Sequence, residues 1–155
     1  MQTDEFKVYV SERYFDYIKS LEIKTNLALA EVKRAREKLD IAGVSYDKIG
    51  SSTSTDSAIP DGIANLFDVI DRVEVDLQSY NEDMEAAKDV IRSISDDRFQ
   101  CLLKCRYILG LTWDETAKVI TYSVKHCQRM KDPALIAAFE FIPYEWKTNL
   151  PKAAI

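Results

Sequence analysis

Thr112-Trp113-Asp114-Glu115-Thr116-Ala117-Lys118-Val119-Ile120, then Thr121-Tyr122, then Ser123-Val124-Lys125-His126-Cys127-Gln128-Arg129-Met130-Lys131 is the stretch whose reading decides the fold. Thr112 with Glu115 three residues on is a capping box, and Asp114 and Glu115 suit the positive end of a helix dipole. A short helix is therefore predicted from about Trp113 to Ile120, with Thr116, Ala117 and Ile120 facing inward. Thr121-Tyr122 makes a brief break, and Ser123 caps a second helix from Val124. Cys127, Met130 and Ala134 recur at steps of three and four and form its inward stripe. Lys125, His126, Gln128 and Arg129 lie outside that stripe and are polar or basic. A short helix, a tight turn and a second helix with a basic outer face suit the major groove of duplex DNA. Asp132-Pro133 interrupts the second helix, because proline removes a backbone donor. It is expected to end after about two turns, with a new helix from Pro133 to Phe141.

Upstream, Ser95 and Asp96 can cap a helix that carries Phe99, Leu102, Leu103, Tyr107 and Ile108 on its apolar side and ends at Gly110. A tri-helical domain is thus predicted over residues 95–142. Charge separates it from the rest of the chain. Arg98 to Lys131 contains seven basic residues and two acids, a balance of +5, so the remaining residues carry −10 of the overall −5. A basic end on an acidic body favours a polyanionic partner for that end.

The first 94 residues read differently. Tyr14, Ile18, Leu21, Thr25, Ala28, Val32, Ala35 and Leu39 alternate steps of four and three, which predicts a helix from about Glu12 to Ile41 with Ser11 as its N-cap. Ile63, Leu66, Ile70, Val73, Leu77, Tyr80, Met84, Ala87, Ile91 and Ile94 form a longer heptad seam. It predicts a coiled-coil-like helix from about Asp61 to Ser93, about 50 Å long. Between them, residues 43–60 are polar and rich in Ser and Thr, with glycines at Gly43 and Gly50, and read as a connector. The seams fit an antiparallel hairpin within one chain. A parallel homodimer through the second helix is the competing reading, and the hairpin is the one expected. The fold class is therefore all-α: a long helical hairpin, then the C-terminal tri-helical domain, then a tail over residues 143–155.

Four Gly and four Pro supply few of the turn signals that an all-β fold needs. No run approaches the roughly 18 apolar residues of a membrane span. The N-terminal stretch has no basic region followed by an apolar run, and the three cysteines are odd in number and unpatterned in spacing. Together these absences predict a cytoplasmic protein with no membrane partner.

The string Arg106-Tyr107-Ile108-Leu109-Gly110-Leu111-Thr112-Trp113-Asp114-Glu115-Thr116-Ala117, followed by Tyr122-Ser123, resembles region 4 of bacterial sigma factors. Within that group it is similar to the ArpU-like late-transcription regulators of phages and prophages of Gram-positive bacteria. Those also place a long helical segment and a Gly/Ser connector before the motif. The match covers about Asp96 to Ala138. It implies a sigma-like transcription regulator in a bacterial host cell that binds promoter DNA, with RNA polymerase as a further partner. It also implies that Ser123 starts the recognition helix and that Lys125, His126, Gln128 and Arg129 face DNA. Similar sequences carry a Gly in the turn where this one reads Val119-Ile120-Thr121-Tyr122, so the turn is expected to depart from the usual shape.

Arg129 can bond a guanine bidentately and Gln128 an adenine, whereas Lys125 and Lys131 suit phosphates. Lys104, Arg106 and Lys118 are candidates for phosphates flanking the groove. Trp113 reads as a lid on the short helices. His126 is the only histidine, and its neighbour Cys127 points about 100° away on a helix, so no metal site is expected with Cys101 and Cys105. There is no Gly-rich phosphate loop and no nucleophile paired with a histidine base, so no cofactor and no enzymatic activity are expected. Two rival readings stand: a DNA-packaging subunit of the small-terminase type, and a polymerase-binding adaptor that never touches DNA.

Overall fold

A computed structural model describes residues 2–41 and 61–149. The predicted connector at 43–60 and the end of the tail lie outside the described residues. Those residues are all-α: α1 (Asp4–Ile41), α2 (Asp61–Ser93), α3 (Asp97–Leu103, continued by a π-helical turn over Lys104–Ile108), α4 (Trp113–Ile120), α5 (Val124–Phe139) and α6 (Tyr144–Thr148). No helix among them is long and apolar enough to cross a membrane.

The chain divides into two compact units, Glu22–Asn81 and Met1–Leu21 with Glu82–Ile155. In the first, Ala28 packs with Val69 and Val73, and Leu39 with Ile63 and Leu66. Ascending positions on α1 meet descending positions on α2, so within this unit the two helices pair antiparallel in one chain. Gly62 marks a close approach, since a Cβ there would lie 2.7 Å from Leu39 Cδ2.

The second unit is aromatic-rich. Phe15 of α1 stacks on Tyr107, with ring centroids 5.3 Å apart, and Phe6 meets Phe139 edge-on at 6.0 Å. Trp146 of α6 rests against Tyr14 and Tyr17. The tail that was silent in sequence therefore supplies a short helix and a packing tryptophan. Around these rings Ile18, Ile91, Leu102, Leu103 and Leu135 are fully buried. Asp96 caps α3, accepting the Arg98 N–H at 2.9 Å. Gly110, at φ +66°, turns the chain out of the π-helical turn.

Two expectations are corrected. The first helix starts at Asp4, not Glu12, and its cap is Thr3, whose Oγ1 accepts the Phe6 N–H at 3.2 Å. Ser11 is buried inside the helix, its hydroxyl unpartnered. Phe6 and Val10 continue the apolar side backward from Tyr14, and the acids Asp4 and Glu5 sit where the helix dipole favours them. The second correction is at Pro133, which lies inside a continuous α5 rather than opening a new helix. Proline in a helix interior costs about 3 kcal/mol. Burial of Ala134, Leu135, Ala138 and Phe139 on the far side of the proline offsets that cost.

Candidate nucleic-acid interface

The candidate site is built by α4, the three residues after it, and the first two turns of α5. Thr112 Oγ1 accepts the Glu115 N–H at 3.2 Å and so fixes the start of α4. Its end is fixed by backbone geometry, because Thr121 adopts the left-handed conformation at φ 65° and ψ 33° and donates its N–H to the Ala117 carbonyl at 2.9 Å. The turn thus keeps a shape that usually takes glycine, with a β-branched residue in it. Such a residue carries strain of roughly 1 kcal/mol. Ser123 Oγ then accepts the His126 N–H at 3.1 Å and starts α5.

The inner side of α5 buries Cys127, Met130, Ala134 and Leu135. That burial decides what faces out. Lys125, His126, Gln128 and Arg129 are all exposed, as are Ser123 at the cap and Lys118 on the last turn of α4. At 100° per residue, Lys125, Gln128 and Arg129 share one side of the helix. Asp132 is exposed one turn further on and sets an acid at the end of this basic side. An open depression of about 630 Å³ runs along the turn, lined by Asp114, Ala117, Lys118, Thr121, Tyr122 and Val124.

Two of the predicted contact residues are engaged within the fold. Arg106 is half-buried, with its guanidinium 4.2 Å from the Trp113 ring centre and Nη1 donating to the Leu111 carbonyl at 2.6 Å. It ties the π-helical turn to the start of α4, and Trp113 is the other half of that tie. Lys131 is likewise half-buried, its Nζ 2.6 Å from Glu12 Oε1, which links α5 to α1. Each of these two cations therefore has a partner within the fold. Lys104 is exposed.

Sequence reasoning missed Tyr122. It is exposed in the turn and its ring lies 4.7 Å from the His126 ring, centre to centre. The spacing of four residues was a usable signal, masked by treating Tyr122 as only a break. Arg98 was counted as charge alone. Its guanidinium binds Asp96 at 3.0 Å, and Asp96 first, with Tyr122 after it, raises the guanidinium above its ordinary value. Arg98 in return holds the Asp96 carboxyl below the usual carboxylate range.

Cys105 and Cys127 are buried, and burial raises both above the ordinary thiol range. Among the described residues no group of three His, Cys, Asp or Glu side chains is placed to hold a metal ion. Comparison with protein-family models, curated proteins and solved structures gave no match to this chain.

Proposed function

We propose that this chain is a sequence-specific duplex-DNA-binding transcription regulator of phage or prophage type, sigma-like in its C-terminal helices. The observation that carries the reading is the outer side of α5. A helix started by Ser123 and pinned through Cys127, Met130 and Leu135 holds Lys125, Gln128 and Arg129 outward together. In the proposed complex the first turns of α5 enter the major groove. Arg129 and Gln128 read base edges there, and Lys125 and Lys118 take phosphates. RNA polymerase is the proposed second partner, met at a promoter in the bacterial host cytoplasm.

The test is selection of bound duplexes from a random pool at near-physiological salt. An enriched motif is expected, and Arg129→Ala should weaken binding to it by about 1–3 kcal/mol while relaxing one position. Equal loss on unrelated DNA would assign Arg129 to phosphate. Absence of DNA binding would replace the reading with a polymerase-binding adaptor.

A second reading has one observation in its favour. Ile23, Leu27, Leu29, Ile41 and Val75 of the Glu22–Asn81 unit are more than half exposed. Scattered apolar exposure is ordinary, but here five large aliphatic side chains belong to one small unit. Self-association would cover them, as a homodimer of the regulator or as a ring in a DNA-packaging subunit. A solution mass of eight or more subunits would favour packaging over regulation.

A further inference from the structure

Away from α5, a crevice of about 170 Å³ is lined by Tyr14 and Tyr17 of α1, Asp83 of α2, and Glu145 and Trp146 of α6. At the ~30 Å³ that a water occupies in the liquid, it has room for a small polar head group. Its walls combine aromatic rings with two carboxylates, and no Lys or Arg lines it. Tyr17 donates its hydroxyl hydrogen to Asp83 Oδ2, which fixes that carboxylate in place. Tyr14 is only 2% exposed, and its hydroxyl has no hydrogen-bond partner. A buried hydroxyl without a partner costs free energy comparable to a lost hydrogen bond, so an incoming donor there would be favoured.

Tyr14 feels the Asp83 charge directly. Burial first, and Asp83 second, push its hydroxyl up to about 12, so Tyr14 remains a neutral phenol whose oxygen can accept. An unpartnered acceptor, a fixed carboxylate and a second carboxylate beside aromatic rings all favour the same ligand chemistry. A compact cation with several N–H donors satisfies them, whereas an anion or a neutral apolar group does not.

We infer that the Tyr14–Asp83–Trp146 crevice is a binding site for a primary alkylammonium group. Its N–H donors reach Tyr14 Oη and the Asp83 and Glu145 carboxylates, and its alkyl stem lies along the rings of Tyr17 and Trp146. The inference is independent of DNA binding. The same head group is carried by a free alkylamine and by a lysine side chain of a partner protein.

The experiment titrates the full chain with n-butylammonium chloride at constant ionic strength and follows the two indole N–H resonances by NMR, with Trp146→Phe identifying the one from Trp146. A saturable shift of the Trp146 signal is expected. Tetramethylammonium, which has no N–H, should bind at least tenfold more weakly. Asp83→Asn should weaken butylammonium about tenfold, and Tyr14→Phe and the exposed Glu145→Gln each severalfold. The last two remove a hydroxyl or a charge without changing shape, so they remain informative if Asp83→Asn fails to fold. A shift no larger than sodium chloride produces would overturn the inference, as would equal binding of butylammonium and tetramethylammonium. In a parallel titration, tighter binding of acetyl-Ala-Lys-Ala-amide than of butylammonium would identify a protein lysine as the source, and weaker binding a free amine.

Discussion

Among the described residues of the Glu22–Asn81 unit the buried ones are Ala28, Leu39, Ile63, Leu66, Val69 and Val73, aliphatic side chains spaced along two helices that pair by repetition. In the other unit the same kind of backbone is held by rings: Phe15 on Tyr107, Phe6 on Phe139, and Tyr14 and Tyr17 on Trp146. The first arrangement uses one contact type many times. The second uses a few contacts that each join residues far apart in sequence. A periodic core tolerates a lost side chain by sharing the gap among equivalent neighbours, whereas a ring wedged between non-repeating elements has no substitute.

The largest expected effect follows from that contrast. Phe15→Ala should destabilise its unit by about 3–5 kcal/mol, measured by urea unfolding, and Leu66→Ala in the repetitive unit should fall toward the lower end of about 2–5 kcal/mol. A larger loss at Leu66 than at Phe15 would break the comparison. Alkaline titration sharpens it next. Burial raises the Tyr107 and Tyr14 phenols, in the folded state, above the ordinary tyrosine value near 10. Each group therefore contributes stability that is fully present below pH 10 and is lost as pH rises through the folded value, which for Tyr14 is about 12. Unfolding free energy should decline from pH 10 upward, and Tyr107→Phe should flatten the decline. An unchanged slope would mean that ring burial is not what resists ionisation.

A smaller effect concerns two left-handed residues of the second unit, the two among its described residues, Gly110 at φ +66° and Thr121 at φ 65°. Only the second carries a side chain there. Thr121→Gly should relieve strain and stabilise by up to roughly 1 kcal/mol, read as a raised urea midpoint with unchanged m-value. Gly110→Ala should act in the opposite sense. The smallest effect is expected at the partly exposed Glu12–Lys131 pair. Glu12→Gln should cost no more than about 1 kcal/mol, and less in high salt. Because Lys131 faces Glu12, the salt dependence of DNA binding should be nearly unchanged in Lys131→Met, in contrast to Lys125→Ala.

Local rules made much of this fold legible. The heptad seam predicts a helix from about Asp61 to Ser93, and α2 has those bounds. Thr112 and Ser123 are caps by residue type and by observed hydrogen bond. What stayed hidden was set by distant partners. Nothing near Pro133 announces that Leu135 and Phe139 will be buried and keep the helix continuous through it. Arg106 and Lys131 look like any other basic residues until Trp113 and Glu12 are brought beside them. Ser11 reads as a cap only when the apolar seam is begun at Tyr14, one helical period after Val10, and the cap the helix uses is Thr3.

The proline within α5 has a consequence for what a partner could meet there. Having no N–H, Pro133 leaves the Arg129 carbonyl oxygen without its helical donor. The ring that takes the place of the N–H lies against that carbonyl, one turn before an exposed acid. The missing bond survives every substitution of the Arg129 side chain, and only replacing the imino acid would restore its donor.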